Sequence, residues 1–483
     1  MGKYGKVVIC VILAFFFCII SLNNGRAPSF GANGEESPKI RVALSGTSSV
    51  AKITIDVGTY SIVDESTGII LADAQQGSTW TITKKGPSMQ LESNISSNNS
   101  GVYKGPIGFI AKSQASLNVI TYGNVKYRDN VRIINESNNL LVLNELGVEK
   151  YLLGVIGPEM GSAAEMEALK AQAVVSRSYA LSFVDQSKKY DVTADVNSQV
   201  YGGYSAEILP GGQRVAEAVQ ATCGEVIYYE NILVRAFFHA NSGGHTANSE
   251  DVWSSPLPYL RATPSPFDEY AMSYAVQTSG WPANTFKWER SFSLDQVKTI
   301  LNDWNNNNAN RRINIGQLID VFYGKYDYEA SMPSTCERIT ELRLVGNVGS
   351  GSLFKEEIRK AFGLRSTKFE LKMDSTVYVK NDQGTLIQIN VGDNLKAVTA
   401  GGAIQELNSK LNYYVVKNTF YTQQIPKKLS ELTFDGYGFG HGVGMSQWGA
   451  RGMAALGYTY REIIEYYYNQ GKCDGKLLIT RLY

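Results

Sequence analysis

Apolar and polar positions alternate along the first third of this chain. Between residues 40 and 148, stretches such as Ala51-Lys52-Ile53-Thr54-Ile55-Asp56-Val57 and Ser116-Leu117-Asn118-Val119-Ile120 put apolar side chains at every second position, separated by Gly, Asn and Ser clusters. That period belongs to strands with one buried face, so a β-rich region is predicted. The Ser/Asn-rich residues 93–100 read as a loop inside it. The period then changes. Ser162-Ala163-Ala164-Glu165 has the form of a reciprocal capping box, and beyond it Met166, Leu169, Ala173, Ala180 and Val184 share one helical face. An amphipathic helix is predicted over 163–183. Strands and turns follow to residue 275, the clearest strand being 233–238, then helical stretches around 294–304 and 355–362. Alternation returns over 375–420. Gly436, Gly438, Gly440, Gly442 and Gly444 next occupy every second position, interleaved with Tyr437, Phe439, His441, Val443 and Met445. As an extended strand this would have one face of bare backbone, open to a ligand ring or another strand. Ser446 is a candidate N-cap, and Thr459-Tyr460-Arg461-Glu462 a second capping box opening a helix that Gly471 closes. The pattern predicts an α+β fold, β-dominated, with a few amphipathic helices packed on short-stranded sheets.

The beginning of the chain adds a destination. Lys3 and Lys6 precede an apolar run over residues 7–20, extended by Ser21 and Leu22. This is the layout of an export segment, a signal peptide or short anchor, since its apolar length of about 16 residues falls below the ~20 that cross a bilayer comfortably. The rest of the chain would face outward. The organisation that follows is an export segment at 1–22, a linker at 23–38 and a β-rich region at 39–150. A core at 151–372, a β-rich insertion at 373–432 and the remainder of the core at 433–483 complete it. The 483 residues carry 46 basic and 45 acidic side chains without long runs of either sign, which removes nucleic acid as a partner class. Of five cysteines, Cys10 and Cys18 fall in the export segment, and the scattered Cys223, Cys336 and Cys473 are no disulfide framework.

Few residues have the makings of chemistry. Glu159, in Gly157-Pro158-Glu159-Met160, has no capping duty; it is either a solvated loop carboxylate or an acid whose pKa is raised by neighbours such as Val155, Ile156 and Met160. Arg177 lies on or beside the apolar stripe and needs a buried partner. At ~1.5 Å of rise per residue it sits roughly 20 Å beyond the helix start, which favours a structural ion pair over contact with Glu159. His239 and His245, across a turn, could meet on a metal or simply shape a loop; no cysteine or third histidine accompanies them, so no metal and no cofactor is assigned. Trp253 could stack on a sugar or fill a core. Serine-hydrolase elbow, zincin helix and phosphate-loop motifs are absent from the sequence.

Two long segments carry a resemblance. Tyr151-Leu152-Leu153-Gly154-Val155-Ile156-Gly157-Pro158-Glu159-Met160, continued through Glu167-Ala168-Leu169-Lys170-Ala171-Gln172-Ala173 and Arg177-Ser178-Tyr179-Ala180, resembles the stage II sporulation protein D and amidase-enhancer family. Gly440-His441-Gly442-Val443-Gly444-Met445-Ser446-Gln447-Trp448-Gly449-Ala450 resembles that family's other hallmark, and Val200-Tyr201-Gly202-Gly203 and Leu364-Arg365-Ser366-Thr367 are also similar. The resemblance runs over about residues 40–480. It implies a peptidoglycan lytic transglycosylase that cleaves MurNAc–GlcNAc bonds, often in strands stripped of peptides by a partner amidase. It further implies Glu159 as catalytic acid/base, Arg177 as a supporting catalytic residue, and Tyr201, His441, Ser446 and Gln447 as substrate-binding residues. Two departures stand out: no Cys joins His239 and His245 in the segment where some relatives bind metal, and the stretch 372–433 is longer than expected. The rivals are a non-catalytic wall-binding protein that recruits or activates an amidase, and a metal-dependent hydrolase using His239 and His245.

Overall fold

The computed structural model describes residues 37–483 except 45–47, 96–100, 254, 274–284, 325, 328–331, 334–336, 381–382, 392–395, 399–400, 407–412, 418–421 and 427. The predicted export segment, nearly all of the linker, and Cys336 lie outside the described residues. Among the described residues no helix is long and apolar enough to cross a membrane.

The alternation predicted for the first region builds two sheets. One runs in the order Val192–Thr193, Lys39–Ala43, Leu140–Gly147, Asn130–Asn135, Ile107–Ala111, Tyr60–Asp64, Ile69–Ala74. The other runs Val125–Arg128, Val119–Tyr122, Val50–Val57, Thr79–Lys85, Ser88–Ser93, Gly101–Tyr103. In Val50–Val57, Ala51, Ile53 and Ile55 are buried while Lys52 between them is exposed, as a period of two requires. Ile53, Ile55, Trp80 and Ile82 from one sheet and Ile40, Val42, Tyr60 and Ile62 from the other join a single core, each large side chain contributing ~1.5–3 kcal/mol by leaving water.

The helices are α1 (Val148–Leu153), α2 (Ile156–Met160), α3 (Met166–Ser182), α4 (Gly203–Glu207), α5 (Gly212–Ala221), α6 (Ser249–Val252), α7 (Leu294–Asn307), α8 (Glu356–Phe362), α9 (Gln447–Ala455) and α10 (Tyr460–Asn469). The capping box predicted at Thr459, with Glu462, forms at the start of α10, and an unpredicted one with Ser293 and Gln296 opens α7. The one predicted at Ser162 does not form. A turn at Gly161, whose φ is 81°, delays α3 to Met166. Ser162 donates instead to the Pro210 carbonyl, and Glu165 accepts from Arg451 and Tyr270. Nor is α3 amphipathic. Between Ala168 and Ala180 it is buried on nearly every side, polar Gln172, Ser176, Arg177 and Ser178 included, because α1, α5, α9, α10 and the strand Glu225–Tyr229 surround it.

Residues 287–437 contain a second core. Trp288, Phe292, Val297, Leu301, Leu342, Leu353, Phe362 and Phe434 pack together, beneath a four-stranded sheet ordered Lys287–Ser293, Lys428–Tyr437, Phe369–Lys380, Leu386–Val391 and a three-stranded sheet ordered Leu318–Gly324, Glu341–Gly346, Ser350–Phe354.

Two strand expectations are corrected. Of residues 233–238 only the ends are strand, in Ile232–Leu233 and Phe238–His239. The alternating glycines are not extended beyond Tyr437: Gly438, Gly440, Gly442 and Gly444 have φ of 80°, 108°, 82° and 74°. The chain here is threaded through a slot, where a Cβ on Gly442 would collide with the Arg338 guanidinium and one on Gly444 with the Phe237 carbonyl. Strand geometry resumes at Met445–Ser446, paired in parallel with Phe238–His239.

Candidate functional site

Where the two cores meet, a cleft of about 770 Å³ is lined by Glu159, Tyr179, residues 196–198, Val200, Phe237 to Ala240, Trp253, Arg359, Lys360, Phe439 to His441 and Gln447. Glu159 reaches it from the short α2. Ile156 and Met160 anchor that turn in the core and Val155 precedes it, so the carboxylate between them points the other way. Its Oε1 accepts from the Val200 N–H at 2.5 Å and its Oε2 from Gln447 Nε2 at 3.4 Å. Burial outweighs these two bonds and pushes the Glu159 carboxyl up to about 7. Among the described residues lining the cleft it is the only carboxylate.

Aromatic rings make one wall. The rings of Phe237 and Trp253 lie 4.5 Å apart, Trp253 and His441 5.1 Å, and His239 and His441 5.5 Å. His441 accepts from the Val443 N–H at Nδ1, so a neutral ring carries its proton on Nε2, on the side of the Phe238 carbonyl. Burial lowers its pKa to about 4. His239 donates from Nδ1 to the Val443 carbonyl and accepts from Ser242 at Nε2; burial and the neighbouring His441 hold it far below the usual range. Both imidazoles are therefore neutral at pH 7. His245 is turned to the Thr246 carbonyl. Among the described residues no group of three or more His, Cys, Asp or Glu is arranged to hold a metal.

Of the six site residues that the resemblance implied, Glu159, His441 and Gln447 come together in the cleft, joined there by His239 and Trp253, and the other three do not. Ser446 is buried behind Gln447. It caps α9 through the Gly449 N–H and donates to Asp268 Oδ1 at 2.5 Å, a buried carboxylate that also accepts from the Gly244 N–H. This knot aims Gln447 at Glu159. Tyr201 lies beneath the cleft floor, its ring against Gly154 and its hydroxyl on Asn144 Oδ1 at 2.7 Å. With the bond from Gly202 N–H to the Gly154 carbonyl, it anchors the loop whose Val200 N–H meets Glu159. Arg177 is in neither place. Its Nε and Nη2 grip both oxygens of Glu149 at 2.7 Å, and Nη1 donates to the Glu225 carbonyl, with the two side chains 0% and 1% exposed. The helical rise had set it apart from Glu159, and the structure supplies the partner. Sequence reasoning missed Asp268, residues 196–198, Arg359 and Lys360. No local pattern marks any of them; Asp268 has only its place in Pro266-Phe267-Asp268-Glu269.

Comparison with known proteins bears on this arrangement. A family profile described as "Stage II sporulation protein" matches residues 136–229, the segment that contains Glu159, Arg177 and Tyr201. The chain is similar to the amidase enhancer of Bacillus subtilis (strain 168), 29% identical over 318 residues that cover 66% of this chain but only 39% of that protein. It is also similar to the stage II sporulation protein D of the same organism, at 24% identity covering 68% of this chain and 74% of that one. The stage II sporulation protein D of Bacillus amyloliquefaciens is 25% identical with the same coverage. Both hallmark segments converge on one cleft, residues 136–229 match the stage II sporulation protein family, and the chain as a whole is similar to stage II sporulation protein D and amidase-enhancer proteins.

Proposed function

We propose that this chain is a peptidoglycan lytic transglycosylase working outside the cytoplasmic membrane, to which the segment 1–22 directs it. The carrying observation is a single carboxyl, Glu159, held at a pKa of about 7 in an aromatic-walled cleft that offers no second carboxylate among its described lining. Hydrolysis would call for two positioned acids, one of them to activate water or to form a covalent intermediate. One acid suffices for internal transfer. Protonated Glu159 gives its proton to the oxygen between MurNAc and GlcNAc as the C1–O bond breaks; the MurNAc C6 hydroxyl then bonds to C1 and returns its proton to the Glu159 carboxylate. The product is a 1,6-anhydro end, no water is consumed, and Glu159 is regenerated. Gln447 and the Val200 N–H hold the carboxyl in place, and the ring wall offers stacking faces to the sugars.

The test is product analysis. Wild type and Glu159→Gln are incubated with peptide-free glycan strands, and anhydro-ended fragments are counted by mass spectrometry. The variant is expected to lose about 10²–10⁴ of the rate; equal yields would falsify the mechanism. The similarity to a protein named amidase enhancer favours one second reading, a wall-binding protein that recruits or activates an amidase without cutting glycan itself. That reading predicts no anhydro ends from either protein.

A further inference from the structure

Beside the cleft the two cores are joined by cations of the second that donate to main-chain carbonyls of the first. Arg338 donates to the Ser242 and Gly440 carbonyls, each at 3.3 Å, and Lys368 to the Gly243 carbonyl at 2.8 Å. Lys355 does the same at Trp253. Its Nζ donates to the Glu250 and Trp253 carbonyls at 2.7 and 2.8 Å, at the end of α6, where helical carbonyls run out of partners within the helix. Trp253 is the ring that packs against both Phe237 and His441 in the cleft wall. Lys355 also immediately precedes α8, which brings Arg359 to the same cleft.

The backbone of Lys355 is held against its preference. With φ of 50° and ψ of −124° it lies in a region that glycine enters freely and that a residue with a Cβ enters only under strain. Its N–H is fixed on the Thr340 carbonyl at 2.9 Å. Strain of this kind persists where the surroundings over-determine a residue, and it collects at sites that need a particular side chain in place. A glycine would suit the turn better; what it lacks is the ammonium on Trp253. We propose, on the glycan reading above, that Lys355 is a positioning residue, tying the Trp253 segment to the second core so that the ring stays set as a stacking face for a sugar bound beside Glu159. Arg338 and Lys368 still join the cores without it, so its loss frees one segment of the wall rather than unfolding the protein.

The experiment separates the tether from the turn. Lys355→Ala and Lys355→Gly both remove the ammonium, and only glycine relieves the backbone. Lys355→Gly is expected to melt at a higher temperature than Lys355→Ala, yet both should raise KM for peptide-free glycan strands about two- to tenfold, with kcat within about twofold of wild type. Lys355→Arg, which keeps a cation at that place, should stay near the wild-type KM. Activity that follows stability, with the glycine variant restored toward wild type, would make Lys355 a merely structural residue and overturn the proposal. A KM unchanged in both Lys355→Ala and Lys355→Gly would overturn it too. Hydrogen exchange read by mass spectrometry tests the tether with no glycan present: the amides of residues 249–253 should exchange faster in both variants than in wild type, and unchanged protection there would refute it. Calorimetric binding of the strands to Glu159→Gln, with and without Lys355→Ala, keeps affinity apart from reaction. Absence of anhydro ends from wild type would sink the transglycosylase, whereas the calorimetry and the exchange would still decide Lys355.

Discussion

Glu149 and Glu159 stand ten residues apart on consecutive short helices, and the protein treats them in opposite ways. Glu149 receives two guanidinium N–H bonds from Arg177, the Gly224 N–H and the Tyr483 hydroxyl, joining α1, α3, the strand Glu225–Tyr229 and the chain's last residue. Glu159 receives one backbone N–H and a long bond from an amide. A buried carboxylate surrounded by donors and a cation is a structural fixture; one left short of partners favours its neutral form and becomes an acid near pH 7. Two glutamates of one segment thus divide between scaffold and chemistry through what lies around them.

The sharpest way to break this contrast is at the paired glutamate. Arg177→Met leaves the Glu149 charge buried without its partner and is expected to cost about 3–5 kcal/mol, with Glu149→Gln added to Arg177→Met recovering much of that loss. Denaturant unfolding followed by circular dichroism checks it; a single variant as stable as wild type would refute the scaffold role.

At the unpaired glutamate the sign reverses. The Glu159 carboxyl rises from 4.5 to about 7 on folding. Below pH 4.5 both states hold the proton and nothing is lost. As pH climbs to 7 the unfolded chain ionises while the folded one resists, and the stability associated with the proton is gone above 7. Glu159→Gln should therefore stabilise the protein at pH 8 by about 1–3 kcal/mol, after allowance for partial access to water, and by only a fraction of that at pH 5. Thermal melts at the two pH values suffice. No gain at pH 8 would mean that the carboxylate is well solvated.

Smaller, and directed at the acid itself, is the pH dependence of anhydro-end formation. The rate is expected to fall about tenfold per pH unit above about 7 as Glu159 loses its proton. The Gln447 bond lowers the Glu159 pKa; removing it with Gln447→Ala should move that limb to higher pH. A limb that stays put in Gln447→Ala would detach the amide from the acid.

Much of this was legible in local patterns. A period of two marked the sheets of 39–147, and the capping box at Thr459 depended only on residues within one turn. Helical geometry separated Arg177 from Glu159, but nothing near Arg177 pointed to Glu149. The failures share a cause. Ser162 and Glu165 satisfied the local rule for a cap, yet Arg451, 286 residues away, and Tyr270, 105 away, claimed the glutamate. The glycine spacing matched a strand, whereas the close approach of Phe237 and Arg338 demanded left-handed backbone.

The sequence by itself determined the alternating strands of the first region, the capped helix at Thr459, the two hallmark segments and the identity of Glu159 as a carboxyl without a local duty, because those follow from side chains and their immediate neighbours. Only the tertiary structure decided what that carboxyl is. Gln447 meets it across 288 residues, the 196–200 loop is brought to it by Tyr201 packing on Gly154, and α8 arrives from a second core. A pKa depends on the groups and the water that surround a site in space, and those are assembled by folding.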